Sequence, residues 1–257
     1  MKSLIAAAIL LAAIPSIHAQ DWALKKLEAS PRHGEWVTVK NGDRKVRAFI
    51  VYPEVKNKAT AVLVVHEIFG LSDWVRDMCD QLAAAGYIAI APDLLSGVDY
   101  TGVDGAREAI SKLPVKQITA DLKATVDYVR KLPAANGKLA VAGFCWGGNT
   151  AFYFAASEPS LNAAFVFYGI GTDSKPAASR IQCPVHGFYG ENDARVNETI
   201  PYTETLMANF GKTFDTVIYP GAGHGFMRLG EAPDATEANK KAREAAWERL
   251  KKLLGQL

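Results

Sequence analysis

The stretch KLAVAGFCWGGNTAFYFAA, residues 138–156, decides the fold of this protein. Its first five residues predict a short buried strand, and residues 147–156 predict a helix rich in alanine and aromatic side chains. Cys145 lies at the turn between them, with Gly143 two positions before it and Gly147 two positions after it. A strand, a tight turn that carries a nucleophile and a helix form the pattern of a nucleophile elbow, here with Cys in place of Ser.

The two glycines are what such a turn requires. The turn holds the nucleophile in strained backbone geometry, so the residues two before and two after it must be nearly free of side chains. We expect this strain to lift the Cys145 sulfur clear of the sheet, where the positive N-terminal end of the helix would lower the pKa of the thiol and favour the thiolate. The alternative is a small buried cysteine in a glycine-rich turn that packs closely or binds phosphate.

Outward from this stretch, short apolar runs alternate with helical patterns in both directions. The predicted strands cover residues 60–66, 87–91, 138–142, 163–168, 185–189 and 214–219. The predicted helices cover residues 74–85, 104–112, 115–131, 147–156 and 201–210, and a C-terminal helix follows with Ala242, Ala246, Leu250, Leu253, Leu254 and Leu257 on one stripe. Asn41-Gly42, between residues 35–40 and 45–52, predicts an antiparallel hairpin at the start. This alternation favours an α/β fold, a mostly parallel central sheet with helices on both faces.

Composition limits the class of protein. No linker rich in proline, glycine or serine divides the chain, so we predict a single domain that covers residues 20–257. A hydrophobic content of 49% excludes a disordered or collagen-like chain, and three cysteines are too few for a disulfide framework. With 29 Lys and Arg against 27 Asp and Glu, the net charge of +2 gives no electrostatic support for nucleic-acid binding.

The first 19 residues have the pattern of a secretory signal peptide. Lys2 is a short basic region, residues 4–14 are apolar and rich in alanine, and Ala19 is a small residue suited to cleavage. The apolar run is shorter than the ~20 residues that span a bilayer, which disfavours an uncleaved anchor. We predict cleavage after Ala19, export to a bacterial periplasm, and no membrane span in the mature chain.

If the protein is exported, its cysteines give information about function, because a free thiol can be oxidised in an oxidising compartment. Cys79, Cys145 and Cys183 are an odd set, so at least one stays unpaired unless two chains are linked. Cys79 and Cys183 lie on separate predicted elements, and we expect both to be free. A catalytic role for Cys145 would explain why a thiol is retained.

A triad in this kind of fold has its acid after the nucleophile in the chain and its histidine last. His224 lies in the loop after the last predicted strand and is the only histidine after Asp193, so we assign it as the general base. Asp193 comes immediately past the end of a strand and is the acid expected to orient the imidazole. Glu191 is the second choice, and a turn-capping aspartate is the other interpretation of Asp193.

The segment HEIFG, residues 66–70, ends the first buried parallel strand. In this architecture the loop after that strand supplies one amide of the oxyanion hole, and the residue after the nucleophile supplies the other. The predicted donors are therefore the backbone N–H groups of Ile68 and Trp146. Glu67, beside them, could govern whether the thiol is ionised, although an isolated glutamate more commonly belongs to a surface salt bridge.

Five segments together resemble those of the dienelactone hydrolase family: HEIFG at 66–70, APDLL at 91–95, GFCWGG at 143–148, YGENDARV at 189–196 and GHGF at 223–226. The resemblance implies an α/β-hydrolase fold and a Cys-His-Asp triad made of Cys145, His224 and Asp193. It also implies that Glu67 is a regulatory glutamate that holds the thiol until substrate binds.

The resemblance has two departures that concern the substrate. Family members carry a carboxylate-binding arginine shortly after APDL, and residues 94–98 contain none. A second family arginine, four positions after the histidine, is matched by Arg228, which the resemblance assigns to substrate binding. Gly225 stands where the best-known members have serine. The chemistry is expected to be retained on a substrate other than dienelactone itself.

These residues predict a two-step acyl transfer on a small-molecule ester or lactone, through a thioester on Cys145 that water hydrolyses. Phe69, Phe226 and Trp146 could line an apolar acyl pocket, whereas Phe144 is expected to belong to the core. No pattern calls for a cofactor or a metal, and we expect a monomer.

Two other classes of function stay open. A thiol redox protein would use Cys145 with a resolving thiol, but neither Cys79 nor Cys183 has the CxxC spacing of such a pair. A binding protein without catalysis could also be built on the same fold, although an intact triad disfavours it.

Overall fold

The computed structural model describes residues 20–257, and the predicted signal peptide, residues 1–19, lies outside the described residues. The strands are β1 (Gly34–Asn41), β2 (Arg44–Val51), β3 (Ala59–Val65), β4 (Ile88–Pro92), β5 (Ala135–Phe144), β6 (Ala163–Phe167), β7 (Val185–Asn192) and β8 (Phe214–Gly223). The helices are α1 (Asp21–Glu28), α2 (Asp73–Ala84), α3 (Gly102–Ser111), α4 (Val115–Arg130), α5 (Trp146–Ala155), α6 (Lys175–Arg180), α7 (Ala194–Asn197), α8 (Ile200–Asn209), α9 (Phe226–Leu229) and α10 (Glu237–Leu254).

The eight strands form one sheet in the order β1-β2-β4-β3-β5-β6-β7-β8. β1 and β2 pair antiparallel as a hairpin closed by Asn41 and Arg44, and β2 also runs antiparallel to β4. Every other pair in the sheet is parallel. The predicted mostly parallel sheet with an antiparallel hairpin at its start is therefore confirmed.

Both faces of the sheet are apolar because helices cover each of them. Every residue of β3 is buried, as expected of a strand between two helical layers. One core cluster joins the sheet to α4, α5, α6 and α8, and a second joins its other face to α1, α2, α9 and α10. The neighbours Leu63 and Val64 belong to different clusters, which follows from the alternation of side chains along a strand.

The parallel strands bring the candidate chemistry to one edge of the sheet. The ends of β3, β5, β7 and β8 lead into the segments that carry Glu67, Cys145, Asp193 and His224. In open α/β sheets the crevice beyond these carboxyl ends is where ligands bind. Among residues 20–257, no helix is long and apolar enough to cross a membrane.

Four helices were not predicted from the sequence. α1 precedes the first predicted element, and in it Ala23 is buried and Lys26 Nζ lies 2.9 Å from Glu231 Oε2. α6, α7 and α9 contain only four to six residues, too few for a helical period to show in the hydrophobic pattern.

β5 begins three residues earlier than predicted. Its first residue, Ala135, pairs with Ala59 of β3, and the register then shifts before Ala61. The intervening residues 136–138 are exposed and are either polar or glycine, so the hydrophobic pattern does not indicate this pairing.

Candidate active site

The turn between β5 and α5 is the strained element of the site. Cys145 has φ 56° and ψ −116°, a left-handed backbone that non-glycine residues rarely adopt. A Cβ atom on Gly143 would lie 1.9 Å from the carbonyl oxygen of Gly147, and one on Gly147 would lie 2.3 Å from that of Val65. Glycine is therefore required at both positions, as the elbow pattern predicts.

His224 connects the sulfur to an acid. Its Nε2 lies 3.1 Å from Cys145 Sγ, and its Nδ1 lies 2.5 Å from Asp193 Oδ2. The Asp193 side chain is 7% exposed, so water competes little for this carboxylate. With the ring proton on Nδ1 donated to Asp193, Nε2 is free to accept a proton from the thiol.

Two other acids near these strand ends, Glu191 and Asp215, face elsewhere. Glu191 Oε2 accepts a hydrogen bond from the amide of Gly221, 2.7 Å away, on the exposed rim. Asp215, at the start of β8, accepts from Arg249 and lies 3.2 Å from His186 Nδ1. Neither has a contact with His224.

Glu67 is buried against the site and paired with Arg228. Its side chain is 2% exposed, and Arg228 Nε donates to its Oε2 over 2.8 Å. Burial raises the pKa of Glu67, and the Arg228 guanidinium counteracts part of that rise. The carboxylate of this ion pair is buried and its guanidinium is partly exposed, whereas an isolated glutamate is more commonly part of a surface salt bridge.

The pKa of the Cys145 thiol differs from the sequence expectation. The pKa of Cys145 is raised to about 11, first by burial and second by the negative charge of Glu67. The amide of Trp146 and the charge of Arg195 act in the opposite direction but are outweighed. The expected lowering of the thiol pKa by the helix N-terminus is therefore wrong: the pull of the helix end does not compensate for desolvation beside a carboxylate.

The two backbone amides predicted to form the oxyanion hole belong to Ile68 and Trp146. Ile68 lies in the turn closed by the hydrogen bond from Gly70 N to Glu67 O, and its amide donates to no acceptor within residues 20–257. Trp146 is the first residue of α5, and its amide acts to lower the pKa of the Cys145 thiol. The assignment of these two amides to an oxyanion hole stays a prediction.

His66 stabilises the loop of residues 67–70 through three contacts. Its Nδ1 lies 2.8 Å from the carbonyl of Glu67, its Nε2 accepts from the amide of Leu94, and its ring stacks on Trp146 at 5.6 Å. Donation from Nδ1 and acceptance at Nε2 require the neutral ring, and burial lowers the pKa of His66 accordingly.

The predicted aromatic lining is only partly present. Phe69 is half-buried, with the guanidinium of Arg228 5.0 Å from its ring centre. Phe226 has no exposed surface and packs on Tyr168 and Tyr219, so it is a core residue rather than a pocket residue. Phe144 is fully buried, which confirms its predicted place in the core.

Three residues that sequence reasoning missed also lie at the site. Tyr168 follows β6, and its ring centre is 5.1 Å from that of His224. Arg195 follows Asp193 by two positions, and Arg107 of α3 places its guanidinium 5.8 Å from the Phe69 ring. The positions of Tyr168 and Arg195 after strand ends were visible in the sequence, but nothing set them apart from other such residues, and Arg107 lies inside a helix.

The other thiols lie away from solvent. Cys79 of α2 and Cys183, between α6 and β7, are both buried and free. Burial raises the pKa of Cys183 to about 11 and that of Cys79 further. In the part of the chain described here, no three His, Cys, Asp or Glu side chains cluster as metal ligands would.

The chain is similar in sequence to one family of known proteins. The sequence profile of the dienelactone hydrolase family matches residues 46–257. A Methylorubrum extorquens protein, provisionally named carboxymethylenebutenolidase, is 33% identical over 200 residues, which cover 72% of this chain and 69% of that protein. A Yersinia pestis protein with the same provisional name is 32% identical over 209 residues, 75% of this chain and 78% of that protein.

The fold is also similar to that of a solved relative. The crystal structure of a protein provisionally named dienelactone hydrolase, from Klebsiella pneumoniae, superposes with a TM-score of 0.79 at 26% identity. The match covers 88% of this chain and 99% of the Klebsiella chain, so it includes the sheet and the helices on both of its faces.

Proposed function

The chain belongs to the dienelactone hydrolase family and has an α/β-hydrolase fold, and from this we propose that it hydrolyses carboxylic ester and lactone bonds with Cys145 as nucleophile. The observation that carries the proposal is the line of contacts from the Cys145 sulfur through His224 to Asp193, 3.1 Å and 2.5 Å long. In this arrangement an imidazole can take a proton from a nucleophile while an acid orients it.

In the first step, His224 Nε2 accepts the thiol proton and the Cys145 sulfur bonds to the substrate carbonyl carbon. The carbonyl electron pair moves onto its oxygen, where the amides of Ile68 and Trp146 stabilise the negative charge. As the oxyanion collapses, the bond to the alcohol oxygen breaks, and His224 returns the proton to that leaving oxygen. The acyl group is left on Cys145 as a thioester.

In the second step, water takes the place of the alcohol. His224 accepts one proton from the water while its oxygen attacks the thioester carbonyl, and the same two amides hold the second oxyanion. Collapse breaks the C–S bond, releases the carboxylic acid and returns the proton to the Cys145 sulfur. Asp193 stabilises the charged imidazole in both steps.

Glu67 gives the resting enzyme a protonated nucleophile. Its charge beside the sulfur helps to raise the pKa of Cys145 to about 11, so the thiol is inert towards most electrophiles when no substrate is bound. Such a device suits a protein that keeps a thiol in an oxidising compartment. We therefore assign Glu67 a regulatory role and not that of a general base.

The nucleophile also limits the substrate class. A thiolate leaves a tetrahedral intermediate more readily than an alkoxide does, so enol lactones, aryl esters and thioesters are favoured over amides. Arg228 is already bound by Glu67, and an anionic substrate group would have to compete for it. Phe69, half-buried in the loop of residues 67–70, offers an apolar contact for the acyl or aryl group.

The acyl-enzyme is the direct test of this proposal. After mixing with 4-nitrophenyl acetate and rapid acid quenching, intact-mass and peptide analysis is expected to find one acetyl group on the peptide that contains Cys145. The Cys183→Ser variant is the matched control and should carry the same adduct. A burst of 4-nitrophenol with the acetyl group on another residue would contradict the assignment.

We also propose that the chain is exported and cleaved after Ala19. The support is the order of a basic residue, an apolar run and a small residue within residues 1–19. Amino-terminal sequencing of the protein recovered from the periplasm of an expressing bacterium is expected to begin at Gln20. Recovery of the intact amino terminus, from the cytoplasm alone, would refute the proposal.

A further inference from the structure

Tyr168 carries a buried hydroxyl that the catalytic cycle described so far does not use. The residue is 1% exposed, and its hydroxyl has no hydrogen-bond partner among the residues that the structure describes. Its backbone has φ 41°, and within residues 20–257 the only other non-glycine residue with positive φ is Cys145. An unpaired buried hydroxyl and a left-handed backbone both destabilise a folded protein, so a compensating function is expected.

The two strained residues are coupled through neighbouring strand ends. The amide of Cys145 donates to the carbonyl of Phe167, the residue before Tyr168, over 3.0 Å. The Tyr168 amide in turn donates to the carbonyl of Phe188 in β7. The backbone around Tyr168 is therefore tied to Cys145 on one side and to β7 on the other.

The ring of Tyr168 packs against the loop that faces Glu67. Its centre lies 5.1 Å from the His224 ring and 5.4 Å from the Phe226 ring. Between these two residues is Gly225, where a Cβ atom would lie 3.9 Å from Glu67 Oε1. Tyr168 and Glu67 thus lie against the same segment, residues 224–226. The pKa of the Tyr168 phenol is raised, first by burial and second by the negative charge of Glu67.

Glu67 itself has a single side-chain donor in the resting state. Arg228 Nε binds its Oε2, and no second donor reaches the carboxylate within the described part of the chain. If this carboxylate left Arg228 with no other partner, it would become an unpaired buried charge, which is strongly unfavourable. An activating movement of Glu67 therefore requires a donor that is unoccupied at rest, and the Tyr168 hydroxyl is one.

We propose that Tyr168 is a positioning residue for Glu67, whose hydroxyl donates to the carboxylate when substrate separates it from Arg228. This inference rests on the proposed function, in which Glu67 keeps the Cys145 thiol protonated. No covalent bond changes in the step: one hydrogen bond to the carboxylate is exchanged for another. The exchange relocates the negative charge relative to the sulfur and lets His224 generate the thiolate.

The Tyr168→Phe variant tests the role, because it removes only the hydroxyl and keeps the ring contacts. With 4-nitrophenyl acetate, kcat is expected to fall about tenfold with little change in KM, the usual scale for a lost hydrogen bond to a charged group. The melting temperature should stay the same or rise, since an unpaired buried hydroxyl is removed. Alkylation of Cys145 by iodoacetamide should keep its pH profile, since the hydroxyl is unbonded at rest.

Tyr189→Phe is the matched control. Tyr189 is also fully buried with an unpartnered hydroxyl, but the charged groups near it are Glu204 and Arg249. Its removal should leave kcat within about twofold of the parent. Equal kcat values in Tyr168→Phe and in this control would overturn the proposal.

A double variant shows whether Tyr168 acts through Glu67. Glu67→Gln removes the negative charge beside the sulfur, lowers the pKa of the thiol and should make alkylation at mildly alkaline pH about tenfold faster. Adding Tyr168→Phe to Glu67→Gln is expected to leave kcat unchanged. A further tenfold loss would mean that the hydroxyl acts elsewhere. Failure of the proposed function is separate, because it would appear as hydrolysis that survives the loss of Cys145.

Discussion

Replacement of Cys145 with alanine is expected to lower the rate of ester hydrolysis by about a thousandfold or more. The variant keeps the backbone, the His224–Asp193 hydrogen bond and the oxyanion amides, but it has no atom that can form the acyl-enzyme. Residual turnover would come from water activated by the same histidine. The measurement is kcat/KM on 4-nitrophenyl acetate and on a cis-dienelactone, with stability checked by thermal unfolding.

Two further variants make this result specific to the nucleophile. Cys183→Ala removes a buried thiol from the core cluster shared with α6 and is expected to retain activity. Cys145→Ser keeps a nucleophilic atom, but an alcohol is far less acidic than a thiol, so intermediate activity is expected. Equal rates in the parent and in Cys145→Ala would eliminate the catalytic assignment.

Replacement of Gly143 with alanine is expected to destabilise the protein by about 3 kcal/mol or more. The added Cβ would lie 1.9 Å from the carbonyl oxygen of Gly147 and 2.4 Å from its carbonyl carbon, and both are backbone atoms that cannot rotate away. For a chain of this size the melting temperature should fall by roughly 10 °C, or soluble protein should be lost. Thermal unfolding followed by circular dichroism measures the effect.

Gly105→Ala provides the matched comparison. Gly105 lies inside α3, and its added Cβ would make only an ordinary contact, 3.4 Å from Tyr100 Cβ. Alanine is the better helix former, so this variant should gain up to about 1 kcal/mol. If both variants unfold at the parent temperature, the elbow backbone must relax in a way that the structure does not indicate.

The sheet and the catalytic constellation could be predicted because their signals are local. Runs such as residues 60–66 are apolar on both faces only when a strand is covered on both sides, and chain order limited the histidine to His224. Cys145, Asp193 and His224 each follow a strand directly, so the sheet itself brings them together. Contacts that follow from the order of the strands can be predicted without knowing how distant segments of the chain pack.

The errors concern properties that depend on surroundings. The thiol pKa is decided by burial and by Glu67, which the chain brings close only after folding. Phe226 follows His224 by two positions and seemed a pocket residue, yet it packs inward on Tyr219. Sequence spacing gives the neighbours of a residue along the chain, whereas its exposed fraction depends on elements far away in sequence.

The burial of Cys79 and Cys183 makes the protein a convenient subject for active-site titration. Of its three cysteines, only Cys145 is not buried, and its pKa is raised to about 11. A thiol-directed fluorophore should therefore label one atom per molecule without any prior removal of cysteines, slowly while the Cys145 thiol is protonated. The labelled fraction then counts competent sites directly, and its rate in the presence of candidate esters reports which of them activate the thiol.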